Sequence, residues 1–307
     1  MDSNTPVIIA GAGPVGALTA LYLARRDVPV LLLEKEPELP VYLRASTFNP
    51  PSVELFEALG NGVIDEMLEK GVVVDRYQYR DRRTGEVANF DMGLIAGDTA
   101  YPYRLQLEQY EFTRIVSERL SHLPAADVRF SHEVTGFVQT DDYVDVEVSS
   151  PTGIQTIRTP FLVSAEGAHS IIRKLAGIGY LGFTYDEKFL VVSTPFPFED
   201  VFDDLSWVNY VADPEEWCVI LRTEKIWRVL FPTRPENQED EALLLSDEFI
   251  QERLHHLWGK DGDYAIGHRT LYNVNQRVAE TYYQGRVLLA GDACHINNPL
   301  GGMGMNG

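Results

Sequence analysis

The chain has 307 residues, 45% of them hydrophobic and 23% charged, with a formal net charge of −20. This is enough chain for one or two domains with a sizeable core, and the acidic balance excludes nucleic acid and anionic membrane surfaces as partners. No run reaches the roughly 18 apolar residues of a spanning helix, Met1-Asp2-Ser3-Asn4 is no signal peptide, and Cys218 and Cys294 form neither a metal nor a disulfide pattern, so a soluble, metal-free protein of the reducing cytoplasm is expected.

Residues 6–10 and 28–33 are short valine- and leucine-rich runs, as buried parallel strands are. Between them Ala17 to Arg26 carries apolar residues at helical spacing. The loop from the first strand reads Gly11-Ala12-Gly13-Pro14-Val15-Gly16. Gly11 permits a tight turn, Gly13 lets backbone approach a pyrophosphate, and Gly16 allows close helix–strand packing. The helix start then offers unpaired N–H groups and a positive dipole end to phosphate. Glu34 lies 18 residues after Gly16, at the end of the second strand, where a carboxylate can hold a ribose diol. An acid there disfavours a 2′-phosphate, so the bound nucleotide is FAD or NAD rather than NADP.

Further along, residues 73–103 hold alternating aromatic stretches that read as strands, and 104–123 form a helix after Gln106. Val128 to Val148 and Gly153 to Val163 alternate as a β-meander does, and Phe161-Leu162-Val163 re-enters the nucleotide unit. Residues 181–270 form a second layer, with short strands at Trp207 to Val211, Trp217 to Arg222 and Trp227 to Phe231 and an amphipathic helix at 247–258. The acidic run Glu236 to Glu241 reads as a solvated face. Val287-Leu288-Leu289-Ala290 is a further buried strand ending in Gly291-Asp292. An Asp at a strand's carboxyl end can bind a sugar-alcohol hydroxyl such as one of a ribityl chain. Pro299-Leu300-Gly301-Gly302-Met303-Gly304 can lie against a flat ring with its N–H groups toward it. This second element favours FAD over NAD.

These segments resemble the class A FAD-dependent monooxygenases, the p-hydroxybenzoate hydroxylase-like and phenol hydroxylase-like aromatic hydroxylases. Four motifs carry the resemblance: the Gly11–Gly16 loop with Glu34-Lys35; Arg44-Ala45, followed by a helix from Asn49 to Gly60; Gln106, a flavin-contacting position; and Gly291-Asp292-Ala293-Cys294-His295 with Pro299 and Gly301-Gly302-Met303-Gly304-Met305-Asn306-Gly307. A fifth segment departs from the pattern. Where the family has Asp-Gly, associated with FAD and nicotinamide binding, this chain has Glu166-Gly167, with the same charge and one more methylene.

The resemblance implies an α/β architecture: a Rossmann-like FAD-binding domain of the GR2 type, with a β-meander, interleaved with a mostly antiparallel β-sheet substrate domain. The FAD-binding domain takes 1–72, 104–180 and 271–307, and the substrate domain 73–103 and 181–270. The implied cofactor residues are Gly11, Gly13, Pro14, Val15, Gly16, Glu34, Lys35, Arg44, Ala45, Gln106, Glu166, Gly291, Asp292, Pro299, Gly301, Gly302, Met303 and Asn306. The implied reaction uses NADH or NADPH and O2 to hydroxylate a phenol-like aromatic molecule through a flavin C4a-hydroperoxide. A homodimer is allowed.

Trp207, Tyr210, Trp217, Arg222, Trp227 and Arg228 could floor an aromatic substrate over the flavin, but residue by residue self-packing of a half-buried sheet is favoured. Tyr185, Tyr272 and His255-His256 could touch a phenolic hydroxyl, though the histidine pair reads as helix surface and no general base stands out. Cys294-His295 is no nucleophilic pair, since adjacent side chains diverge. In the resembled family a long helix follows the position of Gly307, so a C-terminally truncated chain lacking that helix is expected. Two further readings stay open: an FAD-dependent dehydrogenase or reductase on the same fold, and a non-catalytic FAD-domain fragment.

Overall fold

The computed structural model describes residues 5–41, 44–60, 62–233 and 240–306, so most of the acidic run from Glu236 lies outside the described residues. Strands Val7–Ala10 and Val30–Leu33 are apolar at every position, and such strands need cover on both faces. They pair in parallel from Val7 opposite Val30 to Ala10 opposite Leu33. The sheet they centre has six strands, in the order 283–284, 287–289, 162–164, 7–10, 30–33, 126–129. The pleat sorts their side chains. Ile9, Val30 and Leu32 pack with the helices Pro14–Ala24 and Gln109–Ser121. Ile8, Ala10, Leu31 and Leu33 pack on Val134, Val144, Val146 and Val148 of the antiparallel meander 133–159.

The second layer is an eight-stranded sheet in the order 295–296, 268–279, 180–194, 227–232, 218–222, 208–212, 76–81, 85–91. It is antiparallel except where Val208–Ala212 runs parallel to Arg76–Asp81. Two long strands, Tyr180–Thr194 and His268–Ala279, carry the sheet from the second layer to the edge of the first. The strand through residue 270 is continuous, so the chain has no linker there. His295–Ile296, just past Asp292, adds the terminal strand.

One face of this sheet is closed by the helix Asp247–Leu257. Ser246 caps it, its Oγ accepting from Phe249 N–H at 3.3 Å, and Asp247 and Glu248 suit the positive end of the helix dipole. Its Ile250, Leu254 and Leu257 pack on Leu190, Val192, Ile220, Trp227, Val229 and Phe231. Trp227 is fully buried there, with Trp207 at 5.7 Å and Arg222 over its ring at 5.8 Å. These three residues of the expected aromatic floor thus serve the core, because their parity along the strands turns them to the helix.

Leu254→Ala, a fully buried truncation, is expected to lower the unfolding free energy by about 2–5 kcal/mol. Urea denaturation followed by tryptophan fluorescence checks this.

Candidate cofactor and substrate site

At Gly11 and Gly16 the glycine loop is fixed by contacts that leave no room for side chains. Gly11 has φ +99°, and a Cβ on it would lie 2.5 Å from Ala165 O. One on Gly16 would lie 1.9 Å from Gly11 O. Nothing lies within 4 Å of the Cβ position of Gly13, so the loop is open there. Pro14 occupies the first turn of the helix, where its missing N–H costs nothing. Glu34 is buried against the loop, its carboxylate accepting from Ala12 N–H at 2.7 Å and Glu36 N–H at 3.0 Å. Two accepted bonds leave it lone pairs for further donors. Lys35 is exposed.

The second motif meets the first. Gly291 has φ +60°, and a Cβ on it would lie 2.9 Å from Val15 Cγ2. Ala290 N–H donates to Ser164 O at 2.8 Å, tying this strand end to the Glu166 segment. Asp292 is reachable by water yet walled by protein, and this burial holds its carboxyl above the usual range, against the opposing fields of Arg44 and His295. Tyr180 Oη donates to Asp292 O at 2.8 Å, and Arg173 donates to Ala293 O at 3.0 Å.

The segment after Pro299 is clamped to the region after Arg44-Ala45. Asn306 Oδ1 accepts from Asn49 N–H at 2.8 Å and Ser52 Oγ at 2.7 Å, while its Nδ2 donates to Thr47 O at 2.9 Å and Gly302 O at 2.6 Å. The Asn306 side chain is therefore committed to the chain, and any cofactor contact there falls to backbone. Gly302 is left-handed, at φ +64°. Gly301 and Met303 are exposed beside it. Gln106 is fully buried with Oε1 accepting from Thr47 Oγ1 at 3.0 Å and Ser46 Oγ at 3.3 Å. Its Nε2 has no partner among the described residues. Unmet buried donors are rare, and an external acceptor is one way to satisfy them.

Glu166 stands apart. Its Oε2 accepts from Ser170 Oγ at 2.6 Å, Ser164 Oγ at 2.9 Å and Ile172 N–H at 3.1 Å. The longer side chain reaches across its own turn and holds the start of the helix Ile171–Leu175.

Strand register defines the second sheet's other face. One row runs Val208, Leu221, Arg228, Ser193, His268; the next runs Tyr210, Val219, Leu230, Val191, Thr270; a third holds Pro232, Phe189 and Tyr272. Two bridges join this face to the segments above. Tyr210 Oη donates to Leu300 O at 2.9 Å. Arg228 donates to Arg44 O at 2.6 Å and forms an ion pair with Glu108. Burial raises the Tyr272 phenol, partly offset by Arg228 and Arg44. Burial and Arg228 lower the His268 imidazole. Of the expected floor residues, Tyr210, Trp217 and Arg228 are on this side; Trp217 packs on Phe189 at 5.7 Å. Tyr185 packs on Phe183 at 4.9 Å, and His255-His256 lie in the last turn of the helix on the opposite face. Glu108, Ser193, Leu230 and His268 were missed in the sequence, though period-two alternation from Arg228 would have found Leu230. Among the described residues, no cluster of His, Cys, Asp or Glu could hold a metal, and no helix is long and apolar enough to cross a membrane.

The open turn at Gly13, the unmet Gln106 Nε2 and the exposed acid Asp292 suit a dinucleotide carrying a flat ring with acceptor edges. Comparisons agree. Residues 4–307 match the family model described as FAD binding domain. The chain is 32% identical over 316 residues to para-nitrophenol 4-monooxygenase of Pseudomonas sp. (strain WBC-3), covering 100% of this chain and 75% of that protein. It is 29% identical over 310 residues to 6-hydroxy-3-succinoylpyridine 3-monooxygenase of Pseudomonas putida (strain DSM 28022 / S16), covering 100% of this chain and 77% of that one. The crystal structure of p-nitrophenol 4-monooxygenase from Pseudomonas putida DLL-E4 superposes with a TM-score of 0.91 at 32% identity, over 99% of this chain and 76% of that chain. The chain belongs to the FAD binding domain family, and within it to the class A FAD-dependent aromatic monooxygenases. Its cofactor is FAD, with reduced nicotinamide as co-substrate.

A raised carboxyl means that the folded state binds the Asp292 proton more tightly than the unfolded chain, so ionised Asp292 costs stability at high pH and the cost fades as pH falls through the raised value. Asp292→Asn is expected to raise the melting temperature of FAD-free protein at pH 8 more than at pH 5. Scanning calorimetry at both pH values checks this; a gain equal at both would remove the titration as its cause.

Proposed function

We propose that FAD lies with its pyrophosphate over Gly11 to Gly16, its adenosine ribose on Glu34, its ribityl chain at Asp292, and its ring between the Pro299–Met303 segment with Gln106 on one side and the Tyr210–Leu230–Thr270 face on the other. The observation carrying this is the packing of Gly291 on Val15, which brings two motifs 276 positions apart to one helix start. In this reading 1–72, 104–180 and 271–307 serve the cofactor, and 73–103 and 181–270 the substrate. Arg44, Ala45 and Lys35 flank the cofactor, and Glu166 supports it indirectly through its helix cap.

Bound FAD, reduced by nicotinamide, supplies activation of O2 for transfer of one oxygen atom to an aromatic ring. The chain's own part is placement and polarity. The backbone N–H groups of 301–303 would stabilise negative charge on the ring edge they face. Arg228 and Tyr210 set the distance between the substrate face and the ring's surroundings. Val219, Leu230 and Val191 keep water from the reacting centre. The substrate is a phenol-like ring of the size that para-nitrophenol 4-monooxygenase is named for. A net charge of −20 suits a freely diffusing cytoplasmic enzyme.

Glu34→Ala removes a charge-assisted acceptor pair and is expected to cost roughly 1.5–3 kcal/mol per bond in FAD affinity, about 10- to 150-fold each. Calorimetric titration of the FAD-free protein measures it, and an unchanged affinity would move the ribose elsewhere.

With a nitrophenol, NAD(P)H and ¹⁸O2, the product is expected to carry one labelled oxygen, read by mass spectrometry. Substrate oxidised without label would favour the dehydrogenase on the same fold.

A further inference from the structure

We infer that this enzyme selects phenols bearing no carboxylate or other fixed anion, and that Glu108 sets the preference by neutralising Arg228. The inference rests on the reading above that the Tyr210–Leu230–Thr270 face holds the aromatic substrate.

The middle row of that face is uncharged: Tyr210, Val219, Leu230, Val191 and Thr270. The cations that approach the face are each engaged. Arg228 has a side chain only 5% exposed, and both its Nη atoms bond, one to Arg44 O and one to the Glu108 carboxylate. Arg104 stacks over Tyr77 at 4.3 Å, at the far end of the first row. Arg44 reaches Asp292 on the cofactor side and Tyr272 in the third row of this face, and it is itself partnered. A carboxylate laid on the Val219–Leu230–Val191 strip would lose its water and meet no unpaired cation among the described residues, and burying an uncompensated charge is strongly unfavourable. Glu108, with a side chain 13% exposed, would repel it in a low-dielectric setting. The net charge of −20 adds no long-range attraction for an anion. A hydroxyl or amide substituent carries none of these penalties.

The test uses two ligands of nearly one shape, 4-hydroxybenzamide and 4-hydroxybenzoate, neutral and anionic at the ring substituent at pH 7.5. Binding to the FAD-loaded protein is read from the perturbed flavin absorbance and, independently of turnover, from the shift in melting temperature. The benzamide is expected to bind roughly tenfold or more tightly than the benzoate. Glu108→Gln leaves the guanidinium uncompensated and should narrow that gap. Leu230→Lys, at a half-buried position that does not depend on the ion pair, should reverse it. Benzoate binding as tightly as benzamide to the unaltered protein would overturn the inference, and an unchanged gap in folded Glu108→Gln would remove Glu108 from it. If neither phenol binds, the substrate-face reading falls and the inference with it.

Discussion

Everything at this site depends on three places where backbone replaces side chain. Gly16 sits against Gly11 O, Gly11 against Ala165 O, and Gly291 against Val15. These contacts gather the ends of the strands Val7–Ala10, Leu162–Ser164 and Val287–Leu289 around one helix start. A methyl group at Gly11 or Gly16 would collide with backbone, which cannot rotate aside as a side chain can. The open turn at Gly13 and the position of Asp292 both follow from that compaction.

A second set of constraints registers the Tyr210–Leu230–Thr270 face to this cradle. Asn306 bonds four groups in the Thr47–Ser52 and Gly302 regions. Tyr210 then ties the sheet to Leu300, and Arg228 ties it to Arg44 and Glu108. Breaking a buried ion pair by removing one partner is far more costly than its net contribution to stability.

The cradle was legible in the sequence because its rules are local. Glycine spacing, a strand before it and an acid after the next strand are all short-range signals, and the chain folds as they imply. The meander and the mostly antiparallel second sheet were legible through alternation. The facing of the aromatic residues was not. Trp227 and Arg228 are neighbours in sequence and point to opposite sides, so a list of nearby aromatics mixes core with site. Only the apolar run Trp227, Val229, Phe231, matched to the helix Asp247–Leu257, separates them. Glu108 and Arg228 are 120 residues apart, and no local pattern announces that pairing. The Asn306 clamp was equally hidden, since a side chain that could serve a ligand could as well serve the chain.

The strands Tyr180–Thr194 and His268–Ala279 pair along eleven positions and run from the second sheet toward the edge of the six-stranded one. Together with the return of His295–Ile296 to the same sheet, they make the chain pass between layers many times. Such interleaving has a consequence for how these enzymes diversify. The second sheet is no cassette to be exchanged for a relative's, because cuts near residues 180 and 270 would fall in continuous strands. On such a scaffold a point change on a fixed face alters specificity without cutting a strand, whereas a swap at residue 180 or 270 severs one.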